Sequence, residues 1–373
     1  MTNRERLFAV LDGKPVDRIP IWLLFPYHRL SCYTDVRTNP CYSSIFEASK
    51  DNAVMLDRRF IGASIFAPTV KYRKEETVDN GAKVHRQYMQ YRDAVIFSEV
   101  REKDGVRTEK KLIRSEDDLR AIAEFPIVTD AAAIHAELDA KLPAYRKEKD
   151  EFPSAYGSMM LDLGEPINFI YHSADLLDYP VWSITQHDTV VRFLEKNMER
   201  LRVIYRYALE HDMADVYFLV GSELASPPMV SRDTFRQWVL PYTKELIAMV
   251  HQYGKKAIVH YHGQIKEILP DFLEMAPDGL HTIEAPPVGN CTLAEAFDVT
   301  ENKIALIGNI QYDCFRSYGE DEMREAVKNV IDEAAGRRLI LSPSAGPYED
   351  AISERMQRNY LAFMKAGSEY GGQ

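Results

Sequence analysis

The sequence predicts an α/β fold, namely a (β/α)8 TIM barrel that carries an antiparallel hairpin excursion in its N-terminal half. From residue 154 onward, short apolar runs alternate regularly with helical stretches, as parallel βαβ units do. Two earlier apolar segments bring the strand count to eight. No GxGxxG or Walker A pattern occurs, which disfavours a doubly wound open sheet. Because barrels of this length are common, we expect a single domain over residues 1–373.

The N-terminal half contributes one helix, two strands and the excursion. Thr2 precedes the helical pattern that reaches Leu11, and strands are expected at 18–24 and 61–67. Residues 84–113 alternate apolar and polar side chains around an Asp-Gly pair, which is a strong hairpin signal. We therefore expect a hairpin insertion at about 84–113 that decorates the barrel.

The C-terminal half supplies the remaining βα units. Apolar runs that predict strands lie at 155–161, 216–221, 257–261, 279–283, 304–308 and 338–342. The clearest helical stretches lie at 187–211, 231–253, 264–275, 320–335 and 351–366.

Composition excludes several classes of function. The chain has 57 acidic against 46 basic residues, a net charge of −11, so we expect no nucleic-acid partner and no membrane partner. Its charged N-terminus lacks a signal-peptide pattern, and its four cysteines form no CxxC pair. We expect a cytoplasmic protein that acts on a small-molecule substrate, and we count a homodimer among its expected assemblies.

The sharpest motif is His260-Tyr261-His262 at the end of a predicted strand. Residues two apart on a strand point to the same side, so the two imidazoles converge. Imidazole suits zinc or another divalent metal, and a carboxylate completes such a site. We predict a metal site of His260, His262 and Glu284, with Glu223 as another candidate for the third ligand. Alternatively, the histidines bind substrate or each other without a metal.

Other candidates follow from the rule that barrel enzymes place functional residues at the C-terminal ends of strands. Glu223 could bind metal, act as a base or cap the next segment, while His281 could be a ligand or pack outward. With Tyr348 they form the predicted catalytic set. Asn309 and Ser342 are the predicted cofactor-binding residues. Ser342 opens a small-residue loop that reaches Tyr348 and permits close approach of a ligand.

An aromatic cluster follows the first predicted strand. It comprises Trp22, Phe25, Tyr27 and Tyr33. The cluster could cover the barrel mouth above an aromatic or tetrapyrrole ligand. It is equally consistent with plain packing.

Several motifs in order resemble the uroporphyrinogen decarboxylase superfamily over nearly the whole chain. These motifs are the opening Arg4–Leu7 and Gly13–Pro20, then Gly164-Glu165-Pro166, His260–Gly263, Gly308-Asn309-Ile310 and Leu341-Ser342-Pro343. The resemblance implies a barrel enzyme. It does not select one reaction, because the superfamily contains both decarboxylases and methyltransferases.

The two branches differ in their expected site residues. The resemblance implies that a true decarboxylase is cofactor-free and carries an Arg-rich segment after the first strand. Here only Arg29 is retained, and Ala67-Pro68-Thr69 lacks the Asp expected after the second strand. The methyltransferase branch uses zinc on a His-x-Cys pair and a further Cys, where this chain has His262 and Ser344-Ala345.

We therefore expect a metal-dependent methyltransferase that moves a methyl group from an O- or N-methyl substrate to a corrinoid protein. The metal, zinc by resemblance, would polarise the leaving atom. The alternative is decarboxylation of a tetrapyrrole or aromatic acid. The third hypothesis is a non-catalytic barrel that binds a metabolite.

Overall fold

The strands build two separate sheets. The structure is a computed structural model that describes residues 1–372. Its strands in chain order are β1 (Met55–Phe60), β2 (Lys71–Asp79), β3 (Ala82–Tyr91), β4 (Ala94–Lys103), β5 (Val106–Lys110), β6 (Gly157–Asp162), β7 (Val216–Leu219), β8 (Lys256–His260), β9 (Gly279–His281), β10 (Ala305–Ile310) and β11 (Leu339–Pro343). Seven of them form a parallel sheet in the order β1-β6-β7-β8-β9-β10-β11, and β2 to β5 form an antiparallel sheet.

The predicted first strand over 18–24 forms isolated bridges instead of a regular strand. Ile21 pairs in parallel with Leu341 of β11, and Trp22 pairs with Val54 just before β1. The Trp22 amide donates to the Leu341 carbonyl at 2.9 Å, and the Val54 amide donates to the Ile21 carbonyl at 2.7 Å. The segment thus bridges the two edge strands of the parallel sheet. The α/β class with a parallel sheet is confirmed, whereas eight full units in a closed barrel stay a prediction.

Helices follow the strands in the order that the alternating pattern predicts. They are α1 (Asn3–Leu11), α2 (Ser43–Asn52), α3 (Glu116–Glu124), α4 (Ala131–Asp139), α5 (Leu142–Glu151), α6 (Asn168–Ser173), α7 (Tyr179–Thr185), α8 (His187–Glu210), α9 (Arg232–Trp238), α10 (Leu240–Gln252), α11 (Leu269–Met275), α12 (Leu293–Val299), α13 (Tyr312–Ser317), α14 (Glu320–Ala334) and α15 (Glu354–Tyr370). Short 3-10 turns occupy Pro40–Tyr42, Ser222–Ala225 and Lys266–Ile268. The stretch predicted as one helix over 231–253 is split near Pro241, whose missing N–H cannot continue the ladder.

The antiparallel excursion is larger than the predicted hairpin at 84–113. It is a four-stranded meander that begins at Lys71 and ends at Lys110. The predicted Asp-Gly turn joins β4 to β5, with φ of 52° at Asp104 and 77° at Gly105. Positive φ at both positions is what a two-residue type I′ hairpin turn requires.

The second strand was predicted in the wrong place. It lies at Met55–Phe60, and residues 61–67 contain no regular strand. The sequence hides it because Asp57, Arg58 and Arg59 interrupt the apolar run. These charges are tolerated because each is paired. Arg58 contacts Asp162, and Arg59 lies 2.9 Å from Glu148.

Side-chain alternation along the parallel strands separates two apolar layers. Inward residues form one buried cluster whose strand members are Val54, Leu56, Met160, Val216, Phe218, Ile258, Ala305, Ile307 and Ile340. Leu7, Val10 and Leu11 of α1 belong to the same cluster. Successive strand residues face opposite sides, so the next inward side chain lies two residues further along each strand. From Leu56, Met160, Phe218 and Ile258, this next position lies at the end of the buried cluster, which we call the apolar plug. That step reaches Arg58, Asp162, Val220 and His260.

No helix within residues 1–372 combines the length and the apolar character that crossing a membrane requires.

Gly157 is required by the close approach of β6 to β1. A Cβ built at Gly157 would lie 1.9 Å from the carbonyl oxygen of Met55, which is backbone and cannot rotate away. We expect Gly157→Ala to lower the free energy of unfolding by roughly 2–3 kcal/mol or more. Chemical denaturation should show this loss. Gly62→Ala is the control, since no atom lies within 4 Å of its Cβ position, and equal stability of the two variants would contradict the prediction.

Candidate functional site

A cavity of about 640 Å³ opens at the C-terminal ends of the parallel strands. It lies where the inward side chains emerge from the apolar plug. The lining residues that carry polar or aromatic groups include Tyr33, Arg58, Phe60, Asp162, Asn168, Tyr171, Phe218, Glu223, His260, His262, His281, Ser344 and Tyr348. A volume of this size accommodates a small organic substrate.

Arg58 and Asp162 form a buried ion pair in this cavity. Nη2 of Arg58 donates to Oδ2 of Asp162, and their side chains are 13% and 7% exposed. The amide of Gly164 donates to the second oxygen of Asp162 at 3.1 Å. Burial raises the pKa of Asp162, and the charge of Arg58 opposes that rise. The guanidinium also lies over the rings of Phe60 and Phe218, at 4.8 and 5.1 Å from their centroids.

Three imidazoles meet at the ends of β8 and β9. His260 and His281 are register partners, and their Nδ1 atoms lie 2.6 Å apart with nearly parallel rings. Desolvation by burial lowers the pKa of His260 well below its ordinary value and that of His281 to about 3. Both rings are therefore neutral at physiological pH, and each carries one proton.

A hydrogen bond at the far side of His281 assigns the tautomers. Nε2 of His281 lies 3.3 Å from the carbonyl oxygen of Pro343, which can only accept. A proton on that nitrogen leaves Nδ1 of His281 as the acceptor and Nδ1 of His260 as the donor. This assignment follows from the bonding network. It leaves Nε2 of His260 unprotonated, with a lone pair for a proton, a substrate donor or a metal.

His262 pairs with a buried carboxylate. Its Nδ1 lies 3.4 Å from Oε2 of Glu284, and the same oxygen accepts the Gly263 amide at 2.7 Å. Burial would raise the pKa of Glu284, but the hydrogen bonds from His262 and Gly263 outweigh it and lower that pKa. Glu284 is thus an anion beside His262.

The donors fit a zinc site in type but only partly in arrangement. Two ligands on one tetrahedral zinc ion, each at 2.0–2.1 Å, lie about 3.3 Å apart, close to the His262–Glu284 separation. His260 also has the required pattern, because a metal-bound histidine normally donates its other N–H to a fixed acceptor. However, no three His, Cys, Asp or Glu side chains in residues 1–372 are placed to hold one ion. Binding of one ion by the predicted set of His260, His262 and Glu284 therefore stays a prediction.

Two further glutamates follow the ends of β6 and β7, whereas Glu284 follows β9. Glu223 lines the cavity, and its Oε2 is buried without a hydrogen-bond partner. Glu165 lies behind it, accepts a hydrogen bond from Thr243, and also keeps one buried oxygen without a partner. Burial raises the pKa of Glu223 and brings that of Glu165 to about 7. Both carboxyls therefore retain a proton at a higher pH than an exposed glutamate does.

The predicted site residues separate into two groups. Glu223, His260, His262, His281 and Tyr348 all line the cavity. The others are fully or nearly buried outside its lining: Glu284, Asn309 and Ser342. Asn309 and Ser342 are register partners on β10 and β11, and their predicted contact with a cofactor stays a prediction.

The outward orientation left open for His281 is wrong. It packs inward, 5.3 Å from the ring of Trp22 and beside His260. Of the early aromatic cluster, only Tyr33 lines the cavity, with its ring 5.8 Å from that of Tyr348. Phe25 is buried against Tyr42 instead. A lid formed by the whole cluster is therefore not observed.

Sequence reasoning missed Arg58. The signal was available in the alternation of Leu56, Arg58 and Phe60, whose odd-numbered neighbours Asp57 and Arg59 are buried on the other face. The misplaced second strand concealed it. Arg29 is the one arginine that this chain keeps from the Arg-rich segment expected of a decarboxylase. It is not among the lining residues.

A family model described as uroporphyrinogen decarboxylase (URO-D) matches residues 171–366, just over half of the chain. The chain belongs to the URO-D family. The family predicted from the motifs is confirmed. The matched region contains Glu223, the three cavity histidines that β8 and β9 position, and Tyr348.

The similar curated proteins are methyltransferases, which confirms the predicted branch. The chain is 26% identical over 191 residues to methylcobamide:CoM methyltransferase MtaA of Methanosarcina barkeri, covering 50% of this chain and 54% of the relative. The protein of the same name from Methanosarcina barkeri (strain Fusaro / DSM 804) is 26% identical over 145 residues, or 39% and 40% of the two chains. The chain thus matches about half or less of the length of these relatives.

A solved structure supports the barrel architecture. The methyltransferase from Methanosarcina mazei aligns over 99% of both chains with a TM-score of 0.60 and 18% identity. At this identity the likeness concerns the fold.

The raised pKa of Glu165 predicts a pH-dependent loss of stability. Between pH 4.5 and about 7 the folded state binds more protons than the unfolded state, so stability falls as pH rises through this window. We expect Glu165→Gln to unfold like the parent at pH 4.5 and to be up to about 3 kcal/mol more stable at pH 8. Urea unfolding at both pH values measures the difference. The exposed Glu195→Gln serves as control, and a pH-independent effect of Glu165→Gln would contradict the assignment.

Proposed function

We propose that this chain is a methyltransferase that moves a methyl group from an O- or N-methyl small molecule to the corrinoid of a partner protein. The observation that carries the proposal is the buried carboxyl of Glu223, which lines the cavity beside neutral imidazoles and has an unpartnered oxygen. Membership of the URO-D family and the similarity to methyltransferases that act with methylcobamide support it.

The reaction needs a proton at the leaving heteroatom. When the methyl group passes to the corrinoid, the oxygen or nitrogen keeps the bonding electrons and becomes a poor, charged leaving group. A group that holds a proton and can reach this atom lowers that barrier. Glu223 is the candidate for this group, because its burial favours the protonated form and the residue lines the cavity.

Two of the cavity histidines are neutral and are held in fixed orientations. The bonds from His260 to His281 and from His281 to Pro343 fix both ring orientations. This leaves the unprotonated Nε2 of His260 as an acceptor for a substrate N–H or O–H. Tyr348 and Tyr33 provide aromatic surface in the cavity lining.

A divalent metal is part of the proposal. His262 and Glu284 would hold it, with the free Nε2 of His260 as third donor. When bound, such an ion supplies Lewis-acid polarisation of the leaving heteroatom. The 3.4 Å spacing of His262 and Glu284 and the tautomer of His260 support this assignment.

Decarboxylation of a tetrapyrrole acid is the weaker candidate. A polyanionic substrate needs several cations, whereas Arg58 is the one Lys or Arg among the cavity-lining residues in the part of the chain described. A barrel that only binds a metabolite is distinguished by experiment. In that case the parent protein would bind a ligand but show no methyl transfer for the Glu223 substitution to reduce.

We expect Glu223→Gln to reduce kcat for methyl transfer by about 10²–10⁴-fold while substrate binding is retained, because Gln keeps the volume but has no transferable proton. The activity of the parent should fall as pH rises through the raised pKa of Glu223, and the variant should not show this fall. Single-turnover transfer to a corrinoid protein measures both. Glu195→Gln is the surface control, and full activity of Glu223→Gln would exclude the proton-donor role.

Metal retention tests the second part of the proposal. After incubation with zinc and desalting, we expect about one equivalent of metal in the parent protein and at least a tenfold loss in His262→Ala. Elemental analysis provides the readout, and His85→Ala on the exposed antiparallel sheet is the control. Equal metal content in all three proteins, or none in the parent, would refute a site at His262.

A further inference from the structure

The Arg58–Asp162 pair has unused binding capacity. A guanidinium carries five N–H donors. In the part of the chain that the structure describes, the Arg58 side chain makes one hydrogen bond, to Asp162, and its buried Nε has no partner. An unpartnered donor on a buried cation is costly unless another group binds it. The guanidinium is therefore placed to donate a further hydrogen bond to an acceptor in the cavity.

The surroundings hold this guanidinium in a fixed position. The rings of Phe60 and Phe218 lie beside it, and Asp162 is itself fixed by the Gly164 amide. A planar guanidinium held in this way presents a fork that matches a carboxylate. Preorganisation of this kind favours binding because little side-chain entropy remains to be lost.

The charges of the cavity favour one negative group on the ligand. Arg58 is the one Lys or Arg among the described lining residues, and one hydrogen bond to Asp162 uses only part of its guanidinium. A single carboxylate on a ligand would pair with Arg58 and share it with Asp162. A quaternary ammonium group would instead add a second positive charge, and the faces of Phe60 and Phe218 are already engaged by Arg58.

We propose that the substrate of this cavity is a methylated monoanion whose carboxylate binds Arg58, with Asp162 as the group that it partly displaces. The methylated part of this proposal rests on the proposed function. The carboxylate subsite rests on the ion pair alone. The proposal narrows the O- or N-methyl substrates to those with one acidic group, such as a methoxylated aromatic acid.

Three probes that differ in charge test the subsite. They are 4-methoxybenzoate, the neutral 4-methoxybenzyl alcohol and the cationic 4-methoxyphenyl-trimethylammonium, titrated into the full chain by calorimetry without any methyl acceptor. We expect the carboxylate to bind at least tenfold more tightly than the alcohol, and the cation to bind most weakly. Equal binding of all three, tightest binding of the cation, or no binding of the carboxylate would overturn the proposal.

Substitutions of the two partners should act in opposite directions. Arg58→Gln is expected to weaken carboxylate binding at least tenfold and to leave the alcohol within twofold. Asp162→Asn frees the guanidinium and is expected to strengthen carboxylate binding several-fold. A pair that served only the fold would weaken binding in both variants, and that result would contradict the subsite.

A charge-neutral double variant separates binding from folding. Arg58→Gln with Asp162→Asn removes both charges, so no buried carboxylate is left unpaired. We expect it to bind the alcohol like the parent and to lose the preference for the carboxylate. Arg92→Gln, in the turn between β3 and β4, is the control for loss of an arginine. Because no acceptor is present, failure of methyl transfer alone would refute the proposed function and leave this subsite intact.

Discussion

The two-residue period of the parallel strands is the constraint on which the site depends. Inward side chains of successive strands fill the space between them with an apolar cluster that α1 covers from below. The same period carries Arg58, Asp162 and His260 to the next inward positions, where the plug ends and the cavity begins. Rigid backbone pairing thus fixes polar groups from several strands around one volume, without long loops to support them.

Desolvation then sets the charges of these groups. Burial disfavours the charged form of each side chain, so His260 and His281 stay neutral and Glu223 and Glu165 retain protons to higher pH. In the Arg58–Asp162 pair burial also raises the pKa of Asp162, but the charge of Arg58 opposes that rise. A low-charge cavity with one fixed cation suits chemistry in which charge develops at a leaving atom and must be met by a proton or a Lewis acid.

The histidine cluster occupies the strand ends at which the methyltransferase branch is expected to carry a zinc site with cysteine ligands. Where the resemblance implies a His-x-Cys pair, this chain has His260 and His262, and the neighbouring strand adds His281. The bond between His260 and His281 fixes a tautomer, and the carboxylate of Glu284 holds His262. Imidazole and carboxylate are harder ligands than thiolate, so an ion bound here would act on oxygen or nitrogen leaving groups more readily than it would activate a thiol.

Features that repeat along the chain or depend on local turn chemistry could be predicted from the sequence alone. The βα alternation after residue 154, the Asp104-Gly105 turn and the His260-x-His262 pair were all readable, because periodicity and turn chemistry are local properties. Which side chains contact one another in the site could be seen only in the folded chain. Arg58 lies on a strand whose charges hide it from an apolar pattern, and its partner Asp162 is 104 residues away. The pairing of His260 with His281 likewise depends on strand register, which no local pattern encodes.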